Sequence, residues 1–154
     1  MFCVTIINSR EGRDLTEEIY ETSSAEETRE LGKKLVSTFG GDTVVAMYGT
    51  LGSGKTAFVS GAAEGLSCMQ KASSPTYTVV NEYYGTRRIC HFDMYRLSDE
   101  EQLYDIGWED YLSSGALCFV EWTENVENAI PYDAVRIYFE KTGENNRRIK
   151  VKRC

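Results

Sequence analysis

The sequence predicts an α/β fold in three layers: a central mixed, largely parallel sheet flanked by helices and closed by a C-terminal β-hairpin. Three features point there. Thr43-Val44-Val45-Ala46-Met47-Tyr48 and Ala116-Leu117-Cys118-Phe119-Val120-Glu121 are continuous apolar runs of strand length, the pattern of strands covered on both faces. Helix-like periodicity lies on either side of the first run, and strand–helix alternation is the mark of layered α/β domains. Val135, Ile137 and Phe139 alternate with polar residues, as do Ile149 and Val151, and the turn-rich Thr142 to Asn146 lies between them, which is a hairpin pattern.

In chain order, Phe2-Cys3-Val4-Thr5-Ile6-Ile7 is β-branched and apolar and reads as a strand or docked N-terminal arm. The polar stretch from Asn8 to Thr16 reads as a loop. Residues 1–20 stay as this unassigned arm and residues 21–154 form one domain, which suits a chain of 154 residues. Ser24-Ala25-Glu26-Glu27 carries the Ser-x-x-Glu capping box that satisfies free N–H groups at a helix start. Leu31, Leu35 and Phe39, with Val36 beside them, give that helix an apolar face, and Gly40-Gly41 stops it. A glycine-rich loop follows the first apolar run, and Lys55 to about Gly65 reads as a helix. Thr76 to Tyr84 and Arg88 to Tyr95 read as two strands joined around Gly85. Ser98-Asp99-Glu100-Glu101 is a second capping box, opening a helix that carries Leu103, Ile106 and Trp108.

Composition narrows the function classes. With 17 Lys and Arg against 24 Asp and Glu, the net charge of −7 argues against stand-alone binding of DNA or RNA, which needs a basic face to displace counterions. The one dense basic run, Arg147-Arg148-Ile149-Lys150-Val151-Lys152-Arg153, reads as the solvated face of an edge strand. Five scattered cysteines without a Cys-x-x-Cys pair, and a single His, give no disulfide framework and no structural zinc site. There is no signal-peptide pattern, and no apolar run approaches the about 20 residues of a membrane span. A cytoplasmic chain is expected.

Gly49-Thr50-Leu51-Gly52-Ser53-Gly54-Lys55-Thr56 matches the Walker A pattern in full. A chance match in this length is on the order of one in two hundred. The glycines let the backbone approach phosphate oxygens that a Cβ would block. Loop N–H groups and the following helix N-terminus aim partial positive charge at the anion. Lys55 supplies a cation for the β- and γ-phosphates, and Thr56 a hydroxyl ligand for Mg²⁺. Thr50, Leu51, Gly52, Ser53, Gly54, Lys55, Thr56 and Ala57 are the expected contacts to ATP or ADP, and the fold class becomes P-loop NTPase-like.

Such a site needs an acid at a nearby strand end to hold the metal. Ile89-Cys90-His91-Phe92-Asp93 and Leu117-Cys118-Phe119-Val120-Glu121 both run into a carboxylate, and spacing alone does not say which one binds. His91 shares a strand face with Asp93 and reads as a satisfied histidine in or near the core. Trp122 reads as packing, with stacking on a base as the alternative.

Ser74-Pro75-Thr76-Tyr77-Thr78-Val79-Val80, His91-Phe92-Asp93-Met94-Tyr95-Arg96-Leu97 and Val120-Glu121-Trp122 follow the phosphate loop in that order. Together they resemble the bacterial TsaE family, also called YjeE, from about Thr22 to Val151. The resemblance implies a P-loop α/β domain that hydrolyses ATP slowly alone and works with TsaB and TsaD in tRNA threonylcarbamoyladenosine biosynthesis. tRNA is then met indirectly, through the complex, and hydrolysis serves as its reset step. By position it implies Thr56 and Glu121 as metal-associated, with Asp93 as the acid needed for hydrolysis and a further metal candidate. Lys55 and Thr76, the latter in a switch-like segment near the γ-phosphate, join Asp93 as catalytic. Trp122 matches an aromatic beside the adenine, which reverses the packing reading. Arg147 aligns with a late arginine that reaches the nucleotide, and the Ser24 to Thr28 helix start lies near it. Two departures stand out: Thr50 replaces the acidic residue or Asn often found after the first loop glycine, and the first roughly 20 residues have no counterpart.

Two other readings use the same loop. A small-molecule kinase would want an arginine-bearing lid, for which Arg87 and Arg88 near Gly85 are the only hint. The other is a nucleotide-gated binding module whose hydrolysis is incidental.

Overall fold

Burial sorts the strands into two kinds, and the difference positions the site. The computed structural model describes residues 4–10, 14–75 and 79–154. Its strands are β1 (Val4–Arg10), β2 (Asp14–Thr22), β3 (Val44–Tyr48), β4 (Val80–Tyr84), β5 (Arg88–Asp93), β6 (Leu117–Glu121), β7 (Val135–Lys141) and β8 (Arg147–Arg153). They form one sheet in the order β1-β2-β8-β7-β3-β6-β5-β4. The helices are α1 (Ala25–Leu35), α2 (Lys55–Gly65), α3 (Glu100–Asp105) and α4 (Trp108–Leu112), with 3-10 turns at Val36–Thr38 and Thr123–Ala129.

The strands β7, β3, β6 and β5 run parallel. β4 joins one side of them antiparallel, and β8, β2 and β1 extend the other side antiparallel. The sheet is mixed as expected. Antiparallel pairings outnumber parallel ones by four to three, because the N-terminal segment contributes a hairpin of its own.

β3 and β6 alternate between two cores, which is why their sequences hold no polar interruption. Val45, Met47, Leu117 and Phe119 face Leu31 and Leu35 of α1 and Phe58 and Val59 of α2. Val44, Ala46, Cys118 and Val120 face Leu103 of α3 and Trp108 of α4. Phe58, Phe119 and Trp108 are fully buried, each stabilising the fold by roughly 1.5–3 kcal/mol. β7 and β8 bury only one face: Ile137, Phe139, Ile149 and Val151 point to the first core, while Tyr138, Arg148 and Lys152 are exposed.

α1 begins where its capping box predicts. Ser24 Oγ accepts from the Glu27 N–H at 3.1 Å, and the Glu27 carboxylate accepts from the Ser23 N–H at 2.7 Å. α1 and α2 then cross backbone to backbone. A Cβ on Gly61 would lie 1.7 Å from the Arg29 carbonyl oxygen, and one on Gly32 2.1 Å from that of Phe58.

Several sequence expectations are corrected. Asn8 to Thr16 is not a loop: β1 runs through Arg10 and β2 starts at Asp14. β2 continues across residue 20, so the N-terminal segment is continuous with the sheet. The basic run is not on an edge, because β8 lies between β7 and β2 and faces the acidic residues of β2. Ion pairs join Lys150 and Lys152 to Glu17 at 3.5 Å each and Arg148 to Glu21 at 2.9 Å. The second cap falls one residue later, on Asp99, whose side chain accepts from the Gln102 N–H. The strand expected from Thr76 begins at Val80, and Thr76 to Thr78 lie outside the described residues. No helix among the described residues is long and apolar enough to cross a membrane.

Candidate functional site

β3 ends at Tyr48 and hands the chain to a loop that only glycine-rich sequence can form. Gly49, Gly52 and Gly54 have φ of +149°, +73° and +109°, conformations that strain any residue with a Cβ. Gly54 is the N-cap of α2 and offers no side-chain cap, so the first N–H groups of that helix keep their capacity for an anion. Lys55 folds back over the loop, its Nζ donating to the Gly49 carbonyl at 2.6 Å and the Thr50 carbonyl at 3.1 Å. Burial holds this ammonium below the ordinary lysine range, against the opposing fields of Glu121, Glu124 and Asp93. Ser53 is fully buried, and its Oγ has no hydrogen-bond partner among the described residues. A cradle with desolvated positive charge and an orphaned hydroxyl fits an anionic ligand.

The two strand-end acids stand side by side. Asp93 of β5 and Glu121 of β6 are register partners in parallel strands, and alternation puts both on the α2 side of the sheet, with His91 two residues before Asp93. They are 5% and 4% exposed. Glu121 Oε1 lies 3.4 Å from Thr56 Oγ1, the donor, and 3.0 Å from His91 Nε2. Asp93 accepts from the Tyr95 N–H at 2.9 Å and from Ser74 Oγ at 3.5 Å. Like charges directly opposite in a sheet repel, and a cation between them removes that cost. Among the described residues no cluster of three or more His, Cys, Asp or Glu could hold a metal alone. Two carboxylates and a hydroxyl instead suit a hard divalent cation that brings further oxygen ligands with it.

These groups line one cavity of about 630 Å³. Leu51 to Ala57 form its floor, Ala25 and Thr28 of α1 one wall, Ser74, Asp93, Tyr95, Glu121 and Trp122 another, and Asn145 and Arg147 the rim. Trp122 follows Glu121 with φ +57°, a left-handed conformation costing roughly 1–2 kcal/mol for a side chain with a Cβ. The turn sets its ring 4.8 Å from that of Tyr95 and 5.7 Å from Lys55 Nζ.

The expected residues thus largely converge. Leu51, Gly52, Ser53, Gly54, Lys55, Thr56, Ala57, Asp93, Glu121, Trp122 and Arg147 all line the cavity. Thr50 does not, and its carbonyl accepts from Lys55 Nζ and the Ser53 N–H instead. Thr76 lies outside the described residues. The Arg147 guanidinium donates to the carbonyls of Gly143, Glu144, Asn146 and Gly52, so it pins the β7–β8 turn to the glycine loop. Arg87 donates to the carbonyls of Phe39 and Gly40, and Arg88 pairs with Glu82, so neither supplies a lid. His91 is fully buried and satisfied, as expected, with Tyr83 Oη 3.3 Å from its Nδ1.

Sequence reasoning missed Tyr83, Tyr95 and Asn145. A signal existed for Tyr83: the hairpin around Gly85 pairs it with Ile89, which makes His91 its diagonal neighbour.

Three comparisons bear on this geometry. A family model described as "Threonylcarbamoyl adenosine biosynthesis protein TsaE" matches residues 22–149. The chain is 34% identical over 131 residues to a Bacillus subtilis protein named tRNA threonylcarbamoyladenosine biosynthesis protein TsaE, covering 84% of this chain and 82% of that one. It is also 34% identical over 128 residues to the protein of the same name from Treponema pallidum, covering 83% and 95%. The fold is similar to the crystal structure of Bacillus subtilis YdiB, with TM-score 0.77, 28% identity and coverage of 92% and 88%.

Proposed function

This chain belongs to the TsaE family of tRNA threonylcarbamoyladenosine biosynthesis, and from that membership we propose that it is a Mg²⁺-dependent ATPase working with TsaD and TsaB. The supporting observation is the convergence, around one cavity, of an uncapped helix N-terminus, a desolvated lysine and two in-register buried carboxylates.

Each residue has a part. The amides from Leu51 to Ala57 cradle the ATP polyphosphate, and Lys55 exchanges its loop carbonyls for phosphate oxygens. Thr56 and Glu121 would hold the metal, with Asp93 as an additional ligand or as the group that orients the attacking water. When bound, Mg²⁺ neutralises charge on the phosphates and the leaving diphosphate. Trp122 offers a ring face to the adenine. Thr76 belongs to the segment that reaches the γ-phosphate. Arg147 holds the rim in place from Gly52 and reaches the nucleotide from there.

Because the chain carries net negative charge, tRNA is met through the TsaD–TsaB complex rather than by this protein alone, in the cytoplasm. Hydrolysis is slow in isolation and resets that complex. The test is phosphate release from ATP, with water as the only acceptor, with and without TsaB and TsaD. Acceleration by the pair supports this function. Phosphoryl transfer to a metabolite, or ATP-strengthened association without turnover, would replace it.

A further inference from the structure

Glu121 is the terminus of a hydrogen-bonded line that leaves the cavity. His91 Nε2 meets Glu121 Oε1 at 3.0 Å, and His91 Nδ1 meets Tyr83 Oη at 3.3 Å. Tyr83 Oη accepts from the Ser73 N–H at 3.0 Å and lies 2.9 Å from the Ser73 carbonyl. The line crosses β6, β5 and β4 and ends one residue before Ser74, which itself donates to Asp93 at 3.5 Å. His91 and Tyr83 are 0% and 3% exposed, so water does not compete for the bonds that His91 makes, while Ser73 at the far end is exposed.

Hydrogen counting gives the line a direction. An ionised carboxylate only accepts, so an imidazole hydrogen sits on Nε2, and in the neutral ring Nδ1 is then the acceptor. The single hydroxyl hydrogen of Tyr83 then has two takers, the Ser73 carbonyl and His91 Nδ1. Given to Nδ1, it makes the line unbroken from the Ser73 N–H through Tyr83 Oη and the imidazole to Glu121, so that a shift at one end is felt at the other.

We propose that His91 is a positioning residue for the Glu121 carboxylate, and that Tyr83 extends its hold to Ser73, so that the acid at the end of β6 and the start of the 73–75 segment are seated together. The consequence for magnesium rests on the role given to Glu121 above. The line itself is a property of the free chain. It gives a physical reason why a histidine occupies the strand position before Asp93 on the same face: no apolar residue could orient one neighbour and report to another.

Two conservative substitutions split the line, since a Gln amide nitrogen can take the place of Nε2 and an Asn amide that of Nδ1. In the metal-free and nucleotide-free chain, amide exchange at Ser73 is followed by NMR in the wild type, Tyr83→Phe, His91→Gln and His91→Asn. Tyr83→Phe and His91→Gln should both accelerate Ser73 exchange, although His91 does not touch Ser73, while His91→Asn should leave it near the wild-type rate. The magnesium concentration that half-saturates MgATP binding should rise roughly tenfold in His91→Asn and stay near wild type in His91→Gln. Imidazole ¹⁵N shifts should show a protonated Nε2. Ser73 exchange unchanged in His91→Gln, a bare Nε2, or equal effects of the two His91 substitutions scaled only by lost stability would each overturn the proposal. If the wild type binds neither nucleotide nor magnesium, the function proposed above falls, while the exchange and shift measurements still decide the line. Should both His91 variants fail to fold, Tyr83→Phe, which keeps the buried ring, decides through the imidazole ¹⁵N shifts: the Nδ1 shift should move while Nε2 stays protonated, and an unmoved Nδ1 shift would overturn the proposal.

Discussion

The two halves of the sheet both place carboxylates on strands, and they treat them oppositely. In the parallel half, Asp93 and Glu121 are nearly buried, like charges in register. In the antiparallel half, Glu17, Glu18, Glu21 and Glu140 have side chains 22% to 65% exposed, and each pairs with Lys or Arg of β8. Exposed cross-strand pairs stabilise little individually and mainly favour one register. Buried like charges cost stability in the free chain, and a cation bound between them would offset that cost. Charge therefore marks register in one half and a candidate cation site in the other.

The sharpest way to break this contrast is at the cradle. Lys55→Ala should lower phosphate release by on the order of 10²–10³-fold and weaken ATP in calorimetric titration; unchanged values would remove the loop from the chemistry. Next, Asp93→Asn should cut single-turnover hydrolysis about 100-fold with little change in ATP affinity, and its melting temperature should not fall. A matched loss of affinity would make Asp93 a binding group only. Trp122→Phe should weaken ATP binding by about 1 kcal/mol and abolish most of the nucleotide-induced change in fluorescence. An undiminished change would locate the signal at Trp108, deep in the second core. In the antiparallel half, Glu17→Gln should change unfolding free energy by about 0.5 kcal/mol or less and leave hydrolysis untouched. A loss of several kcal/mol would show that these ion pairs do more than select register.

The same division explains what could be seen in the sequence. β3, the glycine loop and α2 are contiguous, so local spacing carried them without tertiary information. The strand ends at Asp93 and Glu121 were legible because apolar runs stop there, yet their adjacency depended on register across two strands. β2 escaped because Glu17 and Glu18 interrupt its alternation and its partner β8 lies more than a hundred residues away. The basic run on β8 was mistaken for an edge for the matching reason, since only the fold brings the acidic complement to it. Tyr83 and Ser73 join His91 through hairpin geometry, and Arg147 faces backbone carbonyls because its turn curls back over Gly52. None of these is a property of residue type at a spacing.

Because Gly32 and Gly61 let α1 and α2 touch backbone to backbone, the cavity floor and the wall bearing Ala25 and Thr28 form one stiff jaw. The rim at Asn145 and Arg147 is fastened to that jaw by the Arg147 guanidinium, which donates to the Gly52 carbonyl at 3.0 Å. Loss of that guanidinium would release the rim and leave the α1–α2 contact untouched.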